Sequence, residues 1–176
     1  KVHHYGQGAE LLLNSQVRPF RDVSVRQALF QTLDPWSYLD QVWEGGSFNG
    51  LGIPLVDTDW LLPREELNSY WGDPEQAKDL LNQAGILPPI VVTVADYGDD
   101  YLALGQRVSD DLTQGGFTPQ VNVVTPVEYV EQVWGAGQYT LSIGPIAPVT
   151  TPNDYFLDIL HSQGYANTTG YEDPEL

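Results

Sequence analysis

Short apolar runs of strand length alternate with helical patterns over residues 90–160. The three runs cover residues 90–95, 121–124 and 139–143. Between the first two, residues 100–114 repeat apolar side chains at the spacing of one helical face. Strands that alternate with helices in this way predict an α/β layer fold. We therefore expect a mixed β-sheet that contains these three runs and is flanked by helices.

Capping residues mark further helices on both sides of this region. An Asp, Asn or Ser just before an amphipathic run is the usual start of a helix, and proline is favoured in the first turn. The predicted caps are Asp22 or Ser24, Asp34, Asp73, and Asn153 or Asp154. Residues 46–72 are rich in glycine, proline and aromatic side chains without clear periodicity, which predicts a long loop. The apolar residues 11–13 predict a strand that ends near Asn14.

The charge and the residue types of the chain exclude several classes of partner. There are 24 acidic residues against 7 basic ones, a formal net charge of −17, which repels polyphosphate and argues against a nucleic-acid partner. The chain has no cysteine, and its three histidines lack the spacing of metal ligands, so we expect neither a metal nor another cofactor. No apolar run approaches the ~20 residues of a membrane-spanning helix.

Paired carboxylates are the feature closest to catalytic chemistry. Asp57 and Asp59 lie together in the predicted long loop, and a glycosidase uses two carboxylates placed across a cleft. No nucleophile with its base, phosphate loop or dinucleotide motif accompanies them. We therefore expect a binding protein rather than an enzyme, with a carbohydrate-processing domain as an alternative.

Three stretches resemble, in order, the motifs of one protein family. The first is Leu13-Asn14 followed by Arg18-Pro19-Phe20-x-Asp22-Val23-x-Val25-Arg26-Gln27-Ala28-Leu29. The second is Asp73-Pro74-Glu75-x-Ala77-Lys78-x-Leu80-Leu81-x-x-Ala84-Gly85, and the third is Asn167-x-x-Gly170-Tyr171-x-x-Pro174-Glu175. Together they resemble the bacterial extracellular solute-binding proteins of family 5, the oligopeptide-, dipeptide- and nickel-binding type that serves ABC importers. The family's first motif normally runs on to an Asp-Arg pair, which here is Asp34-Pro35.

The resemblance implies a lobe of the periplasmic-binding-protein type II fold. Family members have two lobes that close on a ligand, so residues 1–176 would form a single lobe, the distal one, as a fragment of the full protein. The implied partners are a small-molecule or peptide ligand, the remaining lobe and the membrane subunits of an ABC importer. The implied location is periplasmic or at the cell surface, with the full-length protein a lipid-anchored lipoprotein. A sensory or regulatory use of the same fold is the alternative.

The candidate ligand site follows from where the predicted strands end. Ligands of open α/β sheets bind beyond the carboxyl ends of the strands, and the family's ligand-anchoring loop falls at the same place. The candidate ligand-binding residues are Asp96, Tyr97, Trp134, Gly144, Pro145, Ile146, Thr150 and Thr151.

Residues 144–151 depart from the family pattern in a way that bears on the ligand. Peptide-binding members continue from this strand with Gly-Trp-x-x-Asp, whose Asp anchors the peptide's amino group. Neither that Trp nor that Asp occurs in this segment, and a buried ammonium needs a carboxylate partner. We therefore expect a neutral or polyhydroxylated ligand, or a peptide held without its amino terminus anchored. Backbone amides, aromatic faces and the hydroxyls of Thr150 or Thr151 would make the contacts.

Overall fold

The computed structural model of the protein describes residues 8–44, 62–85, 87–146 and 151–172. Within them are the strands β1 (Ala9–Leu13), β2 (Ile90–Ala95), β3 (Pro119–Val124) and β4 (Leu141–Pro145). These strands form one sheet in the order β1-β4-β2-β3. β2 is parallel to β3 and β4, whereas β1 is antiparallel to β4. The predicted mixed sheet is confirmed.

Helices of very different length connect the strands. They are α1 (Val23–Thr32), α2 (Pro35–Val42), α3 (Arg64–Leu67), α4 (Pro74–Ala84), α5 (Asp99–Gln114), α6 (Pro126–Tyr129) and α7 (Pro152–Asp154). Two π-helical segments, Val130–Gly135 and Tyr155–Leu160, continue α6 and α7. The predicted caps Asp22, Asp34 and Asp73 each accept a hydrogen bond from a backbone N–H in the first turn. The short helix α3 lies within the region that was predicted to be a loop.

The sheet separates two apolar cores. On one face, alternate residues of β2 and β4 pack with α1, α4 and α5, and the side chains of Val92, Val94 and Ile143 are fully buried there. On the other face, Ala95 and Val124 pack with residues of α6 and the first π-helical segment. Burying each large apolar side chain contributes roughly 1.5–3 kcal/mol to folding. The central strands β2 and β4 are therefore largely buried, whereas β3 is exposed along most of its length. The central pair is the base for whatever lies at the edges of the sheet.

The parallel strands bring three chain segments to one edge of the sheet. We call this the carboxyl edge: it comprises the residues just after β2, β3 and β4, which are Asp96, Thr125 and Ile146, and Gly8 just before β1. Because β1 runs antiparallel to β4, the start of β1 lies at the same edge as the end of β4. The predicted strand ends therefore do meet in space.

The fourth strand is displaced from its predicted position, residues 139–143. Gly137, with φ +60, turns the chain, and the Tyr139 ring is buried in the second core, so the ladder starts only at Leu141. At its other end the strand includes Pro145, which pairs with β1 alone because the pairing with β2 stops at Ile143. Proline is tolerated at such a strand end, where one side needs no N–H donor.

The end of β1 is joined to the turn before β4 by Asn14. This side chain is buried; its Nδ2 donates to the carbonyl of Gly137 over 3.0 Å, and its Oδ1 accepts from the backbone N–H of Gln16 over 2.9 Å. The family-like motif after Asn14 makes similar internal bonds, because Arg26 donates to the carbonyls of Phe20 and Arg21. The motif therefore builds the scaffold.

We predict that Asn14→Ala lowers the free energy of unfolding by about 1–3 kcal/mol, because two hydrogen-bonding groups lose a partner. Asn82→Ala is the matched control: Asn82 is exposed in α4, where alanine is at least as favourable for the helix. Urea denaturation of both variants measures the difference. Equal stability of the two would contradict the role given to Asn14.

Candidate ligand-binding site

Backbone hydrogen bonds fix the segments that meet at the carboxyl edge. The N–H of Asp96 donates to the Val124 carbonyl over 2.9 Å, which ties the end of β2 to that of β3. The N–H of Ile146 donates to the Gly8 carbonyl over 3.2 Å, and the Tyr101 hydroxyl donates to the same carbonyl over 3.1 Å. The start of β1, the end of β4 and the start of α5 are therefore held together.

Asp96 and Tyr97 are predicted site residues that face solvent. Both are exposed, Tyr97 to 44%. Gly98 follows with φ +114, a conformation open to glycine, and turns the chain into α5. The Tyr97 and Tyr101 rings then lie with their centroids 5.7 Å apart, which forms an aromatic surface beside Asp96.

Gly144 is buried rather than lining an open surface. A Cβ atom on Gly144 would overlap the ring of Tyr129, which is fully buried and donates its hydroxyl hydrogen to Ser142 Oγ over 3.4 Å. Trp134 packs edge-on to Tyr129 with 6.0 Å between centroids and is only half-buried. These two predicted residues therefore lie in and beside the second core, behind the carboxyl edge.

The remaining predicted site residues differ in their burial and contacts. Pro145 and Ile146 are half-buried, and the Ile146 side chain occupies the space beside Gly8 where a Cβ would lie. Thr150 lies outside the described residues, as do Asp57 and Asp59. Thr151 is exposed, but its hydroxyl accepts from the N–H of Asp154 over 3.2 Å.

Thr151 corrects the prediction for the last helix. Asn153 or Asp154 was predicted as its cap, whereas Thr151 is the cap and Asp154 is the third residue of the helix. The Asp154 carboxylate accepts from the Thr151 N–H over 3.0 Å in return, which completes a capping box. The Thr151 hydroxyl therefore caps the N-terminus of α7.

The same local device occurs twice, and the sequence reasoning missed it. The pattern Thr-Pro-x-acid-Tyr stands at residues 125–129 and again at 151–155. Thr125 and Glu128 form a capping box like that of Thr151 and Asp154. In each copy a six-residue π-helical segment follows, and such segments are frequent at functional sites. The repeated five-residue pattern was the readable signal.

Glu10 is a second feature that the sequence reasoning missed. It lies in β1, half-buried, directly opposite Gly144 in the strand register. A single acidic residue within the apolar run AELLL was its sequence signal.

A cavity of about 380 Å³ lies away from these residues. It is lined by Lys78, Leu81, Asn82, Gly85, Leu87, Gly115, Gly116 and Thr118. These residues are at or near the ends of α4 and α5, by the amino ends of the parallel strands, so we do not assign the ligand to it. The described part of the chain contains no cluster of three metal-ligating side chains and no helix long and apolar enough to cross a membrane.

The model of one known protein family matches most of this chain. Residues 3–168 match the model of the bacterial extracellular solute-binding proteins, family 5, middle region. The chain belongs to this family. Family 5 members are extracytoplasmic binding proteins associated with transport.

Curated relatives within family 5 differ in what their names say they bind. The chain is 35% identical over 121 residues to the probable di/tripeptide-binding protein 5 of Pseudomonas aeruginosa, covering 66% of this chain and 22% of that protein. It is 36% identical over 77 residues to heme-binding protein A of Haemophilus influenzae, covering 44% of this chain and 14% of that protein. The chain therefore spans only a small part of each relative.

A solved structure agrees with the fold. The oligopeptide-binding protein AppA of Bacillus subtilis, in complex with a nonapeptide, matches with a TM-score of 0.77 and 20% identity. The match covers 97% of this chain and 37% of AppA. The predicted periplasmic-binding-protein type II fold, with a mixed sheet flanked by helices, is confirmed.

We predict that Gly144→Ala lowers the free energy of unfolding by about 1–3 kcal/mol, because the new methyl group overpacks against the Tyr129 ring. The control is Gly135→Ala, where the nearest atom to a new Cβ is the Val130 carbonyl oxygen at 3.4 Å. We expect that change to be neutral or to stabilise by up to about 1 kcal/mol. Thermal unfolding distinguishes the two, and an unaffected Gly144→Ala protein would refute the packing described here.

Proposed function

We propose that this chain is one lobe of a two-lobe protein that captures a solute outside the cytoplasm and delivers it to an ABC importer. The observation that supports this proposal most directly is the exposed, aromatic and polar surface at the carboxyl edge of a chain of this family. Ligands of open α/β sheets bind at such an edge. The full-length protein is proposed to be lipid-anchored, to bind without catalysis and to meet the importer's membrane subunits.

Closure of the two lobes is the proposed binding event. The remaining lobe docks over the carboxyl edge, and the ligand is enclosed between the two surfaces. On this lobe, Tyr97 and Tyr101 supply aromatic contact and Ile146 an apolar one, while the backbone around Asp96 supplies polar groups. The rigid sheet behind them keeps this half of the site in shape during closure.

The proposed ligand is oligopeptide-like or a neutral polar molecule. The relatives' names cover di- and tripeptides, heme and a nonapeptide, so membership of the family leaves the ligand open. The absence of an Asp in residues 144–151 distinguishes this chain from the peptide-anchoring pattern.

We predict that residues 1–176 alone bind the ligand more weakly than micromolar, since one lobe supplies only part of the contacts. The ligand is first identified by native mass spectrometry of the complete protein. Calorimetry then compares the complete protein with the lobe. Micromolar or tighter binding by the lobe alone would contradict closure between lobes.

We predict that Tyr97→Ala in the complete protein weakens binding of that ligand about tenfold, because an exposed aromatic contact worth ~1.4 kcal/mol is lost. Tyr70→Ala is the control: Tyr70 is 47% exposed and follows Ser69, whose carbonyl accepts from Gln31 near the end of α1 and not at the carboxyl edge. Equal affinities of the two variants would place the ligand elsewhere on the lobe.

A further inference from the structure

The charges at the carboxyl edge have one sign within the described part of the chain. The acidic residues there are Glu10, Asp96, Asp99, Asp100 and Glu128. The described basic residues lie elsewhere: Arg18, Arg21 and Arg26 beyond the far end of β1, Arg64 against Trp36, Lys78 at the cavity by the end of α4, and Arg107 in the middle of α5. An anionic ligand group is therefore repelled from this edge, and a cationic one is attracted.

Glu10 differs from the other acids in its setting. Asp96, Asp99 and Asp100 are exposed, whereas Glu10 is half-buried on the strand itself. Directly opposed residues of an antiparallel pair point to the same face of the sheet. Glu10 opposes Gly144, which has no side chain, and the Tyr129 ring covers that glycine. The missing side chain thus leaves the Glu10 carboxyl group beside an aromatic ring.

The negative charge of Glu10 acts on four tyrosine hydroxyls. Burial is the main cause of the raised pKa values of four tyrosine hydroxyls, and the negative charge of Glu10 raises each of them further. They are Tyr101, Tyr129, Tyr139, whose pKa is raised to about 12, and Tyr155. Tyr129 is the ring that the strand register places nearest to Glu10, because it lies against Gly144, the residue opposite Glu10. Tyr129 and Tyr155 are the final residues of the two Thr-Pro-x-acid-Tyr copies.

We infer that Glu10 determines ligand specificity by binding a positively charged nitrogen group of the ligand, an ammonium or a guanidinium. A carboxylate forms strong charge-assisted hydrogen bonds with such a group, and neighbouring aromatic rings favour a cation. The inference rests on the proposed function, because it assumes that the ligand lies at the carboxyl edge. It changes the expectation drawn from the missing Asp: the anchor comes from β1 instead of the segment after β4. Of the two proposed ligand classes, it selects the oligopeptide-like one.

The test uses the complete two-lobe protein and three probe pools. One pool contains amidated tripeptides of Ala, Gly, Ser and Leu with free amino termini, and the second contains the same tripeptides acetylated, so the pools differ by one positive charge. The third contains neutral oligosaccharides. Native mass spectrometry shows which pool binds, and calorimetry measures the best binder against the wild type and Glu10→Gln.

We expect the free-amine pool to be preferred and Glu10→Gln to weaken its best binder at least tenfold. Glu10→Asp keeps the charge and should restore part of the affinity. Asp99→Asn removes a charge from the exposed surface of the same edge and should change the affinity less than twofold. The unfolding curve of each unliganded variant shows whether it is folded.

Other results overturn the inference. Preference for acetylated tripeptides or oligosaccharides, with affinity unchanged by Glu10→Gln, removes Glu10 from the site but leaves solute capture intact. An equal loss of affinity in Asp99→Asn would show that the general negative charge of the carboxyl edge, and not a specific anchor at Glu10, attracts the ligand. Failure of all three pools to bind the folded wild-type protein overturns the proposed ligand classes together with the role of Glu10.

Discussion

The pairing of β1 with β4 is the interaction on which the rest of the structure depends. These strands are far apart in the chain, and their register sets Glu10 against Gly144 and Leu13 against Leu141. It brings the beginning of the described chain to the end of β4, and Asn14 then locks the opposite end of the pair. Without this register, neither the two cores nor the carboxyl edge would have their present composition.

Local patterns predicted the elements that depend on neighbours in sequence. The apolar run at β2 and the caps Asp22, Asp34 and Asp73 act within a few residues, so the sequence alone is sufficient to find them. The family-like motifs predicted the fold, and the hydrogen bonds that Asp22 and Arg26 make within the first motif are also short in range. The mixed sheet followed from the alternation of strands with helices.

Features that depend on distant partners were misplaced or missed. The start of β4 is set by burial of Tyr139 and by the turn at Gly137, neither of which is visible in the apolar run itself. One local feature was also misplaced: Asn153 or Asp154 was predicted as a cap, whereas Asp154 is the third residue of a helix that Thr151 caps. Glu10 gains significance only when the register shows what stands opposite it, and propensity carries no information about register.

The two π-helical segments are places where the chain length can change without rebuilding the cores. A π-helical turn accommodates an additional residue within a helix, so removing one exposed residue, such as Glu131, would convert the wider turn to an α-helical one. The residues on either side of the deletion would keep their directions, because the wider turn had already absorbed the additional residue. Single-codon deletions there would thus shorten the chain behind the carboxyl edge while Tyr129 and Val133 stay in the second core and the strands keep their register.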